Sequence, residues 1–287
     1  MAATKLLLIG RGHLGTFLRE RLRVPDELHY KGELADLDAR ALARLAPQAI
    51  VNTAGKTDLR WCEDNPLETF RCNVAAPLQL FRAARGALSP ETVFIHLSSG
   101  CVWDGPYRPD GKPFEPGDPP TPACFYSWTK AACDALMLRE CRDAGLVILR
   151  PRQVYSPLLS PRNTLAKLKE YPRLIRTPNS MTSAETIART IECILALPPA
   201  ERPRGRVLNV YDRGVTSPCE VGELLAAAGL RQAPQAMSKD ELDRVLMPKR
   251  VDAVLHDPFF ERLVDPPEVH EELSAVIRQF GERVGRG

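Results

Sequence analysis

Solid apolar runs recur along the chain: KLLLIG (5–10), QAIVNTAG (48–55), TVFIHLSS (92–99), LVILRPRQVY (146–155) and GRVLNVYD (205–212). Runs that are continuously apolar, rather than alternating, belong to strands covered on both faces. Between them lie stretches with helical spacing: LGTFLRERL (14–22), DLDARALARLAP (36–47), residues 65–87, residues 125–145 ending at Gly145, and SAETIARTIECILAL (183–197). Pro77 predicts a kink or a break within 65–87. Strand and helix in alternation predict an α/β fold, a Rossmann-like doubly wound parallel sheet with a smaller C-terminal substrate-binding lobe. Residues 1–155 together with 183–212 are assigned to the dinucleotide-binding domain. Residues 156–182 and 213–287 are assigned to the smaller lobe, the last stretch being rich in prolines and read as short helices and loops. A proline-rich loop covers 106–122.

The first strand runs into IGRGHLG, which places Gly10, Gly12 and Gly15 in a G-x-G-x-x-G turn ahead of a helix. The first glycine permits the tight turn, the second admits a pyrophosphate, and the third lets helix and strand pack closely. The helix N-terminus, at His13 and Leu14, offers free N–H groups to phosphates. The alternative is a purely structural tight turn. An NAD site usually carries Asp or Glu about 20 residues on, at the end of the second strand. Here that strand is ELHY, followed by Lys31, and Arg11 sits inside the turn. Two cations beside an adenosine ribose suit a 2′-phosphate, so the expected cofactor is NADPH, with NADH the alternative; otherwise both are solvated surface charges.

The bulk properties narrow the function classes. A chain of 287 residues can bury about three quarters of its unfolded surface without disulfides. The formal charge of +3 and the lack of a long basic run give no support to nucleic-acid binding. Eight cysteines are scattered with no C-x-x-C pair, and five histidines show no ligand spacing, so no metal is expected. Reduced thiols fit a cytoplasmic protein. The N-terminal apolar run is too short for a signal segment or a membrane span.

The stretch CFYSWTK sets Tyr126 four residues ahead of Lys130, on one helix face. A phenol is a poor acid–base group at neutral pH, and a neighbouring ammonium favours the phenolate. Ser99, at the end of the 92–99 strand, can add a second donor to a carbonyl oxygen. Together they could polarise and protonate a ketone as hydride arrives. The competing view treats the pair as a surface accident and Ser98 and Ser99 as polar punctuation.

In order, the glycine turn, Asn73, Ser99, Tyr126 and Lys130 resemble the extended short-chain dehydrogenases/reductases. Within them, VNTAGKTDLRWCEDNPLETFRCNV, SSGCVWDG and ILRPRQVY are similar to the dTDP-4-dehydrorhamnose reductases. WCEDNP, GCVWDG, FYSWTK, SPRNTLAKL and TPNSMT look closer to the bifunctional UDP-4-keto-6-deoxyglucose 3,5-epimerase/4-reductases. The resemblance implies Tyr126 as proton donor, Lys130 as ribose anchor and Ser99 as carbonyl partner. It puts Asp36 and Leu37 by the adenine, and Ala54, Gly55 and Lys56 along the cofactor. It implies Cys101 and Lys167 as the pair exchanging protons beside the ketone in epimerisation. Otherwise Cys101 is a small residue behind the sheet edge and Lys167 a surface charge. Cys101, Trp103, Gln153 and Asn163 are read as substrate contacts; Asn163 and Arg162 could touch the nucleotide diphosphate or simply cap a helix. The family turn is usually one residue longer, G-x-x-G-x-x-G, which leaves a weak or lost cofactor site open.

The expected activity is therefore NADPH-dependent reduction of the C4 ketone of a nucleotide-linked 4-keto-6-deoxy sugar, with 3,5-epimerisation as an added capacity. The expected partners are the nucleotide sugar and a second copy of the chain in a homodimer, with no nucleic acid and no membrane. The alternative is a non-catalytic dinucleotide-binding regulatory subunit of another enzyme. A 4,6-dehydratase is disfavoured, because Gly100 and Cys101 stand where an acidic pair is needed.

Overall fold

The computed structural model describes residues 4–141 and 145–285. In chain order, β1 (Leu6–Ile9) leads to α1 (His13–Arg21), β2 (His29–Tyr30), α2 (Ala39–Leu45) and β3 (Ala49–Asn52). Then come α3 (Leu59–Asp64), α4 (Pro66–Phe70), α5 (Ala76–Ala87), β4 (Val93–Leu97), α6 (Phe125–Cys141) and β5 (Gly145–Pro151). They are followed by β6 (Val154–Tyr155), α7 (Thr164–Glu170), β7 (Arg173–Ile175), β8 (Thr182–Ser183), α8 (Ala184–Ala196) and β9 (Arg206–Val210). The chain ends in α9 (Pro218–Ala227), β10 (Gln235–Met237), α10 (Lys239–Val245), α11 (Pro258–Val264) and α12 (Val269–Val284).

Six strands form one parallel sheet in the order β2-β1-β3-β4-β5-β9. The apolar runs are explained by its two covered faces. Successive side chains of a strand point to opposite sides. Leu6 and Leu8 thus join Val51, Ile95, Ile187 and Ile191 on one side, where α8 packs. Leu7 and Ile9 join Leu42, Ile50, Phe81, Phe94 and Met137 on the other, under α2, α5 and α6. The expected doubly wound sheet is therefore present. The order reverses between β1 and β3, and ligands bind such sheets at the strand C-termini beside that reversal. The register aligns these ends, pairing Ile9 with Asn52 and Asn52 with His96.

Three local expectations differ. Pro77 does not end the helical run: a π-helical segment, Arg71–Ala75, joins α4 to α5 and interrupts the regular helix just ahead of Pro77, which falls in the first turn of α5. The wider π turn is where the ladder accommodates a residue that has no N–H to donate. Gly145 opens β5 instead of closing α6, and an added Cβ there would lie 2.7 Å from the Thr92 carbonyl. The C-terminal stretch holds a full 16-residue helix, α12, whose Val269, Leu273, Val276, Ile277 and Phe280 recur at helical spacing. They pack with Tyr155, Leu165, Leu174, Met181, Val221 and Leu225 in a third core. Ala253, Leu255, Phe260 and Val264, by contrast, pack into the α8 side of the large sheet.

Candidate active site

One cavity of about 1240 Å3 opens at the strand C-termini and continues between the sheet and the third core. Its floor is the glycine turn. Gly10 has a φ of 122°, and a Cβ there would meet Thr53 Oγ1 at 2.3 Å. A Cβ on Gly15 would meet the Gly10 carbonyl at 2.1 Å. Thr53 Oγ1 donates to the Ile9 carbonyl at 2.8 Å, fastening β3 to the turn. Gly12 is the N-cap of α1 and supplies no side-chain cap, so the first amides of α1 remain available to a ligand. The turn is short, yet each glycine performs the task its position demands, and the cradle fits a pyrophosphate. Arg11 and Lys31 line the cavity and are exposed; Lys31 stands 3.7 Å from Asp26.

Ala54, Gly55 and Lys56 leave the end of β3 along the same wall. Asn73, from the π-helical segment, clamps them: its Oδ1 accepts from the Lys56 amide at 2.8 Å and its Nδ2 donates to the Lys56 carbonyl at 3.0 Å. The adenine neighbours differ from expectation. Leu34 and Ala35 line the cavity, whereas Asp36 and Leu37 do not. Leu37 is buried under the sheet with Leu42 and Leu78. Glu33 also lines the cavity, just beyond β2. No strand-end pattern marked this carboxylate in the sequence.

Tyr126 and Lys130, on α6, both line the cavity and both are buried. Lys130 Nζ donates to the Leu97 carbonyl at 2.9 Å. Burial lowers the Lys130 pKa. Burial also pushes the Tyr126 phenol well up, with Cys101 adding to it and the Ser99 hydroxyl pulling it back. This reverses the expected lysine-induced lowering, since desolvation opposes the phenolate and the Lys130 ammonium is engaged with a carbonyl. Ser99 is buried beside the phenol and its Oγ accepts from the Cys101 amide at 3.0 Å; Ser98, not Ser99, lines the cavity.

Cys101 and Lys167 face the same cavity from opposite bodies, the sheet edge and α7. Arg152, a residue the sequence reading did not single out, donates from its Nη1 to Cys101 Sγ at 2.8 Å and from Nε to Asn179 Oδ1 at 2.8 Å. Asn179 Nδ2 in turn donates to Asp252 at 2.6 Å. Burial raises the Asp252 carboxyl to about 6. Lys167 is lowered by burial and by the cations Arg250 and Arg162. Gln153 lines the cavity in a left-handed conformation, φ 42°, where the chain breaks between β5 and β6. The proline-flanked Arg152 at that break was the available sequence signal for it.

Two expected substrate contacts lie elsewhere. Trp103 is fully buried, stacked on Phe114 with centroids 5.3 Å apart and covered by the Arg150 guanidinium at 4.9 Å, so it belongs to the core. Asn163 is buried and caps α7, holding Ser156 and Leu158 carbonyls at 2.7 and 2.8 Å. Among the described residues there is no cluster able to hold a metal ion, and no helix long and apolar enough to cross a membrane.

The chain is 30% identical over 233 residues to the Arabidopsis thaliana trifunctional UDP-glucose 4,6-dehydratase/UDP-4-keto-6-deoxy-D-glucose 3,5-epimerase/UDP-4-keto-L-rhamnose-reductase, covering 77% of this chain and 33% of that protein. It is 30% identical over 185 residues to the bifunctional dTDP-4-dehydrorhamnose 3,5-epimerase/dTDP-4-dehydrorhamnose reductase of the same plant, covering 62% of this chain and 58% of the relative. It therefore spans about a third and somewhat over half of these two relatives. The L780 UDP-rhamnose synthase of Acanthamoeba polyphaga mimivirus superposes with a TM-score of 0.83 at 20% identity, over 96% of this chain and 100% of that one, which shows a shared fold. Residues 9–182, from the glycine-turn strand to β8, match a family pattern, and the chain belongs to the NAD dependent epimerase/dehydratase family.

Proposed function

We propose that this chain is an NADPH-dependent oxidoreductase that reduces the C4 ketone of a nucleotide-linked 4-keto-6-deoxy sugar, and that it also epimerises C3 and C5. The observation that carries this reading is the convergence of the glycine turn, Tyr126, Lys130, Cys101 and Lys167 on one cavity. The relatives named for such chemistry support the substrate class. Nicotinamide, when bound, supplies a hydride to C4. Tyr126 gives its proton to the ketone oxygen, and the burial that keeps the phenol protonated favours that direction. Ser99 aligns the phenol, and Lys130 holds the ribose. Before reduction, the polarised carbonyl acidifies both flanking carbons. Cys101 and Lys167, on opposite walls, remove and return those protons; a lysine with a lowered pKa is suited to this work.

Residues 156–182 and 213–287 serve as the substrate-binding lobe in this reading, except for the stretch 253–264, which packs on the large sheet. The enzyme is taken as cytoplasmic and homodimeric; the exposed apolar residues Leu67, Phe70 and Trp128 on α4 and α6 support the dimer. The preference for NADPH is supported by Arg11, exposed at the turn with no ion pair among the described residues; Glu33 opposes it.

The test follows NADPH absorbance with dTDP-, UDP- and GDP-linked 4-keto-6-deoxy sugars. Tyr126→Phe should lower kcat by about 10^2- to 10^4-fold while dinucleotide affinity is kept. Undiminished turnover in that variant would eliminate Tyr126 as proton donor. Tight dinucleotide binding with no turnover on any sugar would favour the regulatory-subunit alternative.

A further inference from the structure

The loop between β6 and α7 lies directly over the glycine turn. Ser156 Oγ sits 3.2 Å from Nε2 of His13, the first residue of α1. The loop is held rigid from within by Asn163, which is bonded to the Ser156 amide at 3.3 Å and to the Ser156 and Leu158 carbonyls. The residue just before Asn163 is Arg162. Its Nη1 stands 3.4 Å from where a Cβ on Gly12 would be. Arg162 has no side-chain hydrogen bond and no ion pair among the described residues, and it is exposed. An unneutralised guanidinium has thus been carried by a pinned loop to the one glycine of the turn that is left open for a phosphate. Burial and Lys167 together keep His13 neutral, lowering it to about 4, so the cation at this spot is Arg162 and not the histidine.

We propose that Arg162 is a cofactor-binding residue, a clamp that closes the dinucleotide pyrophosphate against the amides of α1. The inference rests on the oxidoreductase reading above and adds to it a contact from outside the strand–turn–helix unit. A Rossmann turn ordinarily holds the pyrophosphate with backbone N–H groups and the helix dipole. Here the turn is one residue shorter than the usual pattern of the resembled family, and a guanidinium arrives from the opposite wall. Its planar fork matches phosphate oxygens bidentately. The two features are complementary: to the backbone donors of the short turn, the strap adds a charged one. Because Arg162 meets the pyrophosphate and not the 2′-phosphate, it acts alike on NADH and NADPH. The same pinned loop leads into α7 and Lys167, so one segment serves both the cofactor site and the sugar end of the cavity.

The test is equilibrium binding to the full chain, read by tryptophan fluorescence or calorimetry. The probes are NADPH, NADH, ADP-ribose, adenosine and UDP. Arg162→Ala should weaken NADPH, NADH and ADP-ribose by a similar factor, about 10-fold, with adenosine and UDP little changed. Arg162→Lys should recover part of the loss, and the difference between wild type and Arg162→Ala should shrink as salt is raised. Arg162 is exposed, so the alanine variant is expected to fold, and circular dichroism checks this. Unchanged dinucleotide affinity in Arg162→Ala overturns the clamp, as does a loss confined to UDP, which would move Arg162 to the sugar-nucleotide diphosphate. A loss confined to NADPH overturns it too, because that result belongs to a 2′-phosphate contact. A wild-type chain that binds none of the dinucleotides removes the oxidoreductase reading itself, an outcome distinct from an intact wild type with an indifferent variant.

Discussion

Tyr126 and Cys101 illustrate how a residue's surroundings decide its chemistry. The phenol is buried, flanked by Ser99 and near the cysteines at 62, 101 and 124, and burial dominates its acidity. Burial thus favours the protonated phenol, which suits the donor role proposed for it. The thiol of Cys101 instead accepts from a buried guanidinium, Arg152, which carries no carboxylate partner of its own among the described ion pairs. If Cys101 and Lys167 exchange protons at the sugar, then Cys101→Ser and Lys167→Gln should each suppress solvent deuterium uptake into the sugar before reduction. Dinucleotide affinity should stay near wild type. Mass spectrometry of the recovered sugar reads this, and uptake at the wild-type rate in both variants would leave the pair without a catalytic part. The candidates that converge were legible because they stand in strings whose order is itself informative: Gly10 to Gly15, then Ala54 to Lys56, then Tyr126 and Lys130. Asp252 was not, and Arg152 was marked only by its place after Pro151, since the chain joins them through Asn179 only by folding residues 250–255 back toward the end of β5.

At the scale of elements, legibility follows coverage. β1, β3, β4 and β5 are buried at every position, and a strand covered on both faces announces itself as a solid apolar run. β7 and β10 form a separate two-stranded sheet in which Arg173, Gln235 and Ala236 are exposed, so three-residue strands there left no pattern to read. α12 was readable in principle from its 3- and 4-residue apolar spacing, yet its charged first turn and the prolines ahead of it at 266 and 267 resemble a loop. Trp103 misled for another reason: its neighbour Cys101 faces the cavity, but the short helical turn at Gly100–Val102 rotates the tryptophan into the core. There it fills the space between Phe114 and Arg150 and donates to the Asp118 carbonyl at 3.3 Å, pinning the proline-rich loop. Trp103→Ala should therefore cost about 3 to 5 kcal/mol of stability, through lost packing and the cavity left behind. Denaturant unfolding measures it. A loss under about 1 kcal/mol, with sugar-nucleotide affinity falling instead, would return Trp103 to the substrate site.

A carboxyl just beyond β9 joins the two bodies of the molecule. Asp212 is fully buried and accepts from Tyr155 at 2.6 Å, from Thr186 at 2.5 Å and from the Ser183 amide at 2.7 Å. Tyr155 belongs to the third core, Thr186 and Ser183 to the start of α8 against the large sheet, so one side chain ties the two bodies that enclose the cavity. Three donors favour the carboxylate, but desolvation outweighs them, with the Glu272 charge adding to it, and the pKa rises from 3.8 to about 7. The folded state thus holds a proton that the unfolded state has released. Stability from this group is fully present below pH 3.8 and is lost as pH rises through about 7. A shift of this size corresponds to about 4 kcal/mol across the window. Asp212→Asn keeps one acceptor and cannot titrate, so the difference in Tm between wild type and variant should change between those two pH values, with wild type losing ground as pH rises. Subtracting the two curves removes the contribution of every other carboxyl that the variant shares. A difference that stays constant with pH would mean that Asp212 is ionised throughout, and that its three donors outweigh burial at the joint between the two bodies.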